Sequence, residues 1–158
     1  KQEGRPALKP PEYVKYLAEF KARCVYDTLT DKVDKVVVGS DTIVVLRGKI
    51  LGKPIDSAEA KEMLRALSGR THSVFTGVCI LSEKKEKTFF VATRVRFFNL
   101  SNDQIDDYIA TGSAFDKAGA YGIQDSCFVK KIVGSYDNVM GLPTERLRKE
   151  LKSFLTNK

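Results

Sequence analysis

The sequence predicts an α/β protein in which a mixed, twisted β-sheet is flanked by helices. Apolar runs of strand length alternate with longer stretches whose apolar residues recur at helical spacing. Helix caps and Gly- or Pro-containing turns separate these segments. No internal repeat and no linker-like stretch divides the chain, so we expect a single domain over residues 1–158.

The first helix is predicted to begin at Pro10–Pro11, because proline is favoured in the first turn of a helix. Its apolar face would consist of four residues: Val14, Leu17, Ala18 and Val25. Lys21 shares this spacing. The Lys21 ammonium would therefore point into the interior or a cleft. Alternatively, because the lysine side chain is long and lies at the edge of the face, the ammonium would reach the solvent.

A buried central strand is predicted over residues 35–38, followed by Gly39-Ser40-Asp41-Thr42. A strand ending in this way delivers the Asp41 carboxylate to the sheet edge at which α/β proteins usually place ligands. A hairpin over residues 42–51 then leads into a Gly-Lys-Pro turn that contains Lys53. A carboxylate and a cation brought together by a hairpin suit a phosphate ester with a metal ion, which suggests phosphoryl transfer or phosphoanhydride hydrolysis.

Capping signals mark the second and third helices. Asp56 with Glu59 begins the second helix and Gly69 ends it, whereas Ser101 with Gln104 begins the third. The second helix is expected to bury one apolar side made of Ala60, Met63, Leu64 and Leu67.

The other elements are predicted from alternation and from proline. They are strands over residues 73–81, 89–98 and 128–133, a turn over 134–138, and a last helix opened by Pro143. The irregular stretch 112–124 is rich in Gly and Ala, and a loop of this length is commonly functional. Gln124, at its end, would either be a satisfied polar group at a strand start or contact a base.

Charge and cysteine usage narrow the class of protein. The chain has 27 Lys and Arg against 20 Asp and Glu, a net charge of +7, which permits a nucleotide or nucleic acid as ligand. The three widely spaced cysteines argue against a disulfide framework and a zinc site, so we expect a reduced, cytoplasmic protein. No apolar run approaches the roughly 20 residues of a membrane span, and His72, the one histidine, is expected to be structural.

Six segments of the chain resemble the Maf family of nucleotide pyrophosphatases, in the family's order and spacing. They are GSDTIV at 39–44, ILGKP at 50–54, LSGRTH at 67–72, VFTGV at 74–78, DKAGAYGIQ at 116–124 and NVMGLP at 138–143. The resemblance implies the fold of the inosine triphosphate pyrophosphatases, frequently dimeric, and thus a homodimer here. It also implies metal-dependent hydrolysis of a nucleoside triphosphate to the monophosphate and pyrophosphate.

The resemblance further assigns roles to individual residues. Asp41 matches the catalytic carboxylate, and Lys21 and Lys53 match lysines that contact the phosphates. Thr42 and Gln124 match positions linked to base selectivity, and the Gln resembles the branch acting on dTTP and UTP. An amide offers both a donor and an acceptor to a pyrimidine imide edge, whereas the Glu of the 7-methyl-GTP branch offers only acceptors.

The front of the chain departs from the family pattern. The 158 residues contain no counterpart of the family's first strand and Ser-x-Ser-Pro-Arg-Arg loop, which is expected to weaken phosphate binding by this stretch alone. Glu3 lies where the family has an acidic residue, and with Asp41 it would hold a divalent cation, Mg²⁺ or Mn²⁺.

Two other functions remain open at this stage. One is a pyrophosphatase of the same fold that acts on purine nucleotides such as ITP, XTP or 7-methyl-GTP. The other is a basic module that binds single-stranded nucleic acid without catalysis. We consider the second less favoured, because neighbouring strand residues such as Phe89 and Phe90 point to opposite faces of a sheet.

Overall fold

A computed structural model describes residues 8–156. Its helices are α1 (Pro10–Asp27), α2 (Ser57–Leu67), α3 (Asn102–Ala110), α4 (Tyr136–Met140) and α5 (Thr144–Thr156). Its strands are β1 (Val37–Leu46), β2 (Lys49–Leu51), β3 (Thr71–Leu81), β4 (Glu86–Phe97) and β5 (Val129–Val133), and a 3₁₀ turn spans Ala118–Ala120. Within this range no helix is long and apolar enough to cross a membrane.

The five described strands form one sheet in the order β2-β1-β3-β4-β5. The predicted α/β class, a sheet flanked by helices, is confirmed. All strand pairings within residues 8–156 are antiparallel. The short strand β2 pairs only with residues 44–46 of β1, so the described strands leave residues 37–43 of β1 without a neighbour on that side.

Helix α1 packs on one face of the sheet at unusually short range. A Cβ added at Gly39 would lie 2.5 Å from the Ala18 carbonyl oxygen, and one added at Gly77 would lie 2.2 Å from the Val14 carbonyl oxygen. Side chains are therefore absent from the strands at the points where the helix backbone crosses them. The row of α1 that faces the sheet has four buried residues four apart: Val14, Ala18, Ala22 and Tyr26.

The opposite face of the sheet carries the larger apolar core. Side chains from α2 and α3 pack there against Val44, Val74, Val95 and Phe97 of the three long strands. Phe154 of α5 packs further along the same face. The predicted apolar side of α2 is confirmed by four buried residues: Ala60, Met63, Leu64 and Leu67.

Three expectations about local structure are wrong. The Gly-Ser-Asp segment does not end a strand, because its backbone keeps pairing with β3, and Asp41 lies opposite Gly77 in mid-strand. Val25 is exposed, because the buried row of α1 runs through Ala22 and leaves Val25 on its flank. Residues 136–140 form a short helix, capped by Ser135 and ended by Gly141 at φ 114°, where a turn was expected.

His72 is buried in the core, as expected of a structural residue. Its Nε2 lies 2.7 Å from the Tyr121 hydroxyl, and its ring packs edge-on against Phe97. Burial lowers the pKa of His72 to about 4, because the imidazolium would lose its hydration.

The burial of His72 makes stability depend on pH. The unfolded chain binds a proton below the ordinary pKa of 6.5, whereas the folded chain resists protonation until pH falls to about 4. Neutral His72 therefore contributes about 3 kcal/mol to the free energy of unfolding. This contribution is complete above pH 6.5 and is lost as the pH falls from 6.5 to 4. The free energy of unfolding, measured with urea at several pH values, should change less between pH 6.5 and 4 in His72→Phe than in the wild type. The carboxylates titrate alike in both proteins, so an equal change with pH would contradict a lowered pKa of His72.

Candidate active site

A cleft of ≈ 240 Å³ opens beside β1 and collects the sequence-predicted site residues of the described chain. These residues come from four separate parts of the sequence: Lys21, Asp41, Thr42, Lys53 and Gln124. Glu3, the remaining predicted residue, lies outside residues 8–156. The cleft forms at the part of β1 that has no second described neighbour, so Asp41 reaches it from mid-strand rather than from a strand end.

The Lys21–Asp41 pair lies where α1 crosses β1. The Lys21 Nζ is 2.5 Å from an Asp41 carboxylate oxygen. The Asp41 side chain is only 17% exposed, whereas that of Lys21 is 56% exposed, so the lysine reaches the carboxylate from the solvent side. The helical spacing left two orientations open for the Lys21 side chain. The structure shows the one toward the cleft.

Lys53 follows β2 and lines the same cleft. Its side chain is exposed and forms no ion pair with any residue in the range 8–156. An exposed ammonium without a carboxylate partner is available to an anionic ligand, and at the cleft wall it can contact a phosphate directly.

Asp116 and Lys117 also line the cleft, and the sequence analysis assigned them no role. The Lys117 Nζ is 2.8 Å from the Asp116 carboxylate and 2.9 Å from the Ser113 carbonyl oxygen. The hydrogen bond from Lys117 lowers the pKa of Asp116 and raises that of Lys117, and the Lys53 charge also lowers the pKa of Asp116. Their position in the Gly- and Ala-rich stretch 112–124 is the feature of the sequence that could have predicted a role for them.

A buried chain of hydroxyl groups lies behind Thr42. Thr42 is the register partner of Thr76 on β3, and their hydroxyl oxygens are 2.8 Å apart. The Thr76 hydroxyl donates in turn to the main-chain carbonyl oxygen of Asn138, also at 2.8 Å. Neither Thr76 nor Asn138 was singled out from the sequence, because nothing local links two positions that are 62 residues apart.

The remaining wall of the cleft is largely apolar. It is formed by Val44, Val74, Ile123, Val139 and Met140. Gln124 is exposed at the rim of this wall, next to the buried Ile123. The lining of the cleft thus combines charged side chains, among them Asp41 and Lys53, with apolar ones, a combination that suits a phosphorylated ligand with a planar ring.

The small number of carboxylates in the cleft suits a cation that is bound mainly through the phosphates of a ligand. Residues 8–156 contain no group of three or more His, Cys, Asp or Glu side chains that could hold a metal ion. Mg²⁺ typically uses one or two carboxylates together with substrate phosphates and water. Asp41 and Asp116 supply that number of carboxylates along one cleft.

Comparison with known proteins decides the family. The model of the Maf-like protein family matches residues 1–154. The chain belongs to the Maf family. It is 50% identical over 147 residues to a dTTP/UTP pyrophosphatase of Bacillus cytotoxicus, covering 92% of this chain and 75% of the relative.

Two further relatives show the same extent of similarity to this Maf-family chain. The dTTP/UTP pyrophosphatases of Bacillus mycoides and Bacillus cereus are 50% and 48% identical, each over 147 residues, again 92% of this chain and 75% of the relative. The matched range therefore includes the described cleft residues from Lys21 to Gln124.

Proposed function

We propose that this chain hydrolyses nucleoside triphosphates, with dTTP and UTP as preferred substrates, to the monophosphate and pyrophosphate. The observation that carries the proposal is the Lys21–Asp41 pair, 2.5 Å apart, in a cleft that also contains Lys53. Family membership and relatives named dTTP/UTP pyrophosphatase at about half identity support the same activity.

Asp41 is assigned as the general base of the reaction. Its carboxylate accepts a proton from the attacking water, whose oxygen forms a bond to the α-phosphorus while the bond to the β-phosphate bridging oxygen breaks. Lys21 and Lys53 stabilise the charge that collects on the phosphates and on the leaving pyrophosphate. Because Lys21 pairs with Asp41 in the free protein, a bound triphosphate offers it a second anionic partner and leaves the carboxylate free to take the proton.

A divalent cation, Mg²⁺ or Mn²⁺, is proposed to neutralise part of the triphosphate charge when bound. Asp41 and Asp116 are carboxylates of the cleft that would hold it, together with Glu3, which is predicted from the sequence. The homodimer and the cytoplasmic location remain predictions from the sequence.

The base preference is proposed to depend on Gln124 and Thr42. The Gln124 amide can donate to a pyrimidine carbonyl oxygen, which a carboxylate at this position could not do. The apolar wall provides a surface for the flat ring, and the exposed position of Gln124 leaves its amide free to turn toward a base.

Pyrophosphate release from a nucleotide panel tests the proposal. We expect full-length protein with Mg²⁺ or Mn²⁺ to act fastest on dTTP and UTP among dTTP, UTP, CTP, 7-methyl-GTP and ITP. Faster turnover of 7-methyl-GTP or ITP would keep the chemistry and reject the assignment of the base. No release from any of them by folded, metal-supplied protein would reject the function and favour the nucleic-acid-binding alternative, for which affinity falls steeply with salt.

A further inference from the structure

The hydroxyl chain behind Thr42 has only one consistent arrangement of protons. The Thr76 oxygen is 2.8 Å from the Asn138 carbonyl oxygen, and a carbonyl has no proton to give, so Thr76 must donate there. Thr76 has a single hydroxyl proton, and this contact uses it. The 2.8 Å contact between the Thr76 and Thr42 oxygens therefore takes its proton from Thr42.

The end of the chain at Asn138 is fixed by buried contacts. Asn138 is fully buried, and its amide nitrogen donates to the Val74 carbonyl at 3.2 Å and to the Thr93 hydroxyl at 3.0 Å. Its main-chain N–H donates to the capping hydroxyl of Ser135 at 3.1 Å. Thr76 is itself fully buried, so neither group can turn to water for a different partner.

Thr42 is the member of this chain that meets the cleft. It is partly exposed and lines the cleft beside Asp41. With its proton directed back to Thr76, the oxygen has only lone pairs left for a ligand. A free threonine hydroxyl could turn to donate or to accept, but this one can only accept.

We propose that Thr76 and Asn138 are positioning residues that set the base selectivity of the cleft by fixing the Thr42 hydroxyl as an acceptor. An acceptor at this point favours rings that carry an N–H, as uracil and thymine do at N3. It disfavours cytosine, whose N3 carries a lone pair and would face the Thr42 oxygen without a proton between them. The inference rests on the proposed function and extends it to residues that do not touch the substrate.

The ratio of kcat/KM for UTP to kcat/KM for CTP, with Mg²⁺ and full-length protein, measures this selectivity. Thr76→Val removes the acceptor for the Thr42 proton, so the Thr42 hydroxyl can turn and donate to cytosine N3. We expect the UTP-to-CTP ratio to fall by on the order of 10-fold, with a rise in kcat/KM for CTP. Thr76→Ser keeps the hydroxyl and should keep the wild-type ratio.

The design separates positioning from a merely structural role. Loss of packing at residue 76 would lower activity on both nucleotides and leave their ratio unchanged, and that result for a folded Thr76→Val would overturn the proposal. So would a Thr76→Ser ratio as low as that of Thr76→Val. If melting curves show that Thr76→Val does not fold, Thr42→Val is measured instead. The UTP-to-CTP ratio of Thr42→Val should fall by a similar factor, and a wild-type ratio would overturn the proposal. Wild-type protein that hydrolyses neither nucleotide would instead reject the function itself.

Discussion

Asp41→Asn is expected to reduce the turnover of dTTP and UTP by on the order of 10²- to 10⁴-fold, the usual contribution of a general base. The amide keeps the shape of the carboxylate but cannot take a proton from the attacking water. It also removes the negative charge that pairs with Lys21 at 2.5 Å and that would hold a cation. Pyrophosphate release at saturating nucleotide measures the loss, and thermal unfolding of the same samples shows whether the fold is retained.

Asp106→Asn provides a matched control for this substitution. Asp106 of α3 pairs with Lys61 of α2 at the same 2.5 Å, but neither residue lines the cleft. Breaking an exposed pair of this kind costs at most about 1 kcal/mol, so the control variant should remain folded. We expect the control to keep wild-type turnover. If Asp41→Asn also retains most of its activity, Asp41 is not the base.

Much of the fold follows from signals that act over a few residues. Asp56 caps α2 by accepting from the Glu59 N–H at 2.8 Å, and Ser101 and Gln104, predicted to begin α3, form a capping box there. Such signals depend on neighbours three or four positions away, and the sequence displays them directly. The resemblance to the family also assigned Lys21, Asp41 and Lys53 to one site, and all three line the cleft.

What could not be predicted depends on contacts between distant segments. Gly39 looks like the end of a strand, yet it lies within β1, where its backbone pairs with Cys79 of β3 and a helix backbone crosses close to it. Local propensity encodes neither contact. The Thr76–Asn138 hydrogen bond joins residues 62 apart, and it exists only because α4 lies over the sheet. Ser135 and Gly141 cap α4 at its two ends, but the five residues between them are too few to show a helical period, so the sequence pattern predicts a turn over residues 134–138.

The tight crossing of α1 over the sheet leads to the largest expected effect on stability. In Gly77→Ala the new methyl would lie 2.2 Å from the Val14 carbonyl oxygen and 2.4 Å from the Val14 carbonyl carbon. These are backbone atoms of a helix, which cannot turn aside as a flexible side chain would. The helix must therefore move away from β3, and we expect a loss of about 1–3 kcal/mol or more in the free energy of unfolding.

The same substitution should also weaken the active site, because α1 carries Lys21. A displaced helix no longer holds the Lys21 ammonium beside Asp41, so we expect KM for UTP to rise together with the fall in stability. Urea unfolding and initial-rate kinetics on the same preparations measure the two effects. Gly52→Ala is the control, because nothing lies within 4 Å of a Cβ added there, and its unfolding midpoint should stay close to that of the wild type. A Gly77→Ala protein as stable as this control would mean that the helix can lie farther from the sheet at little cost, and that the glycine is not what holds Lys21 in place.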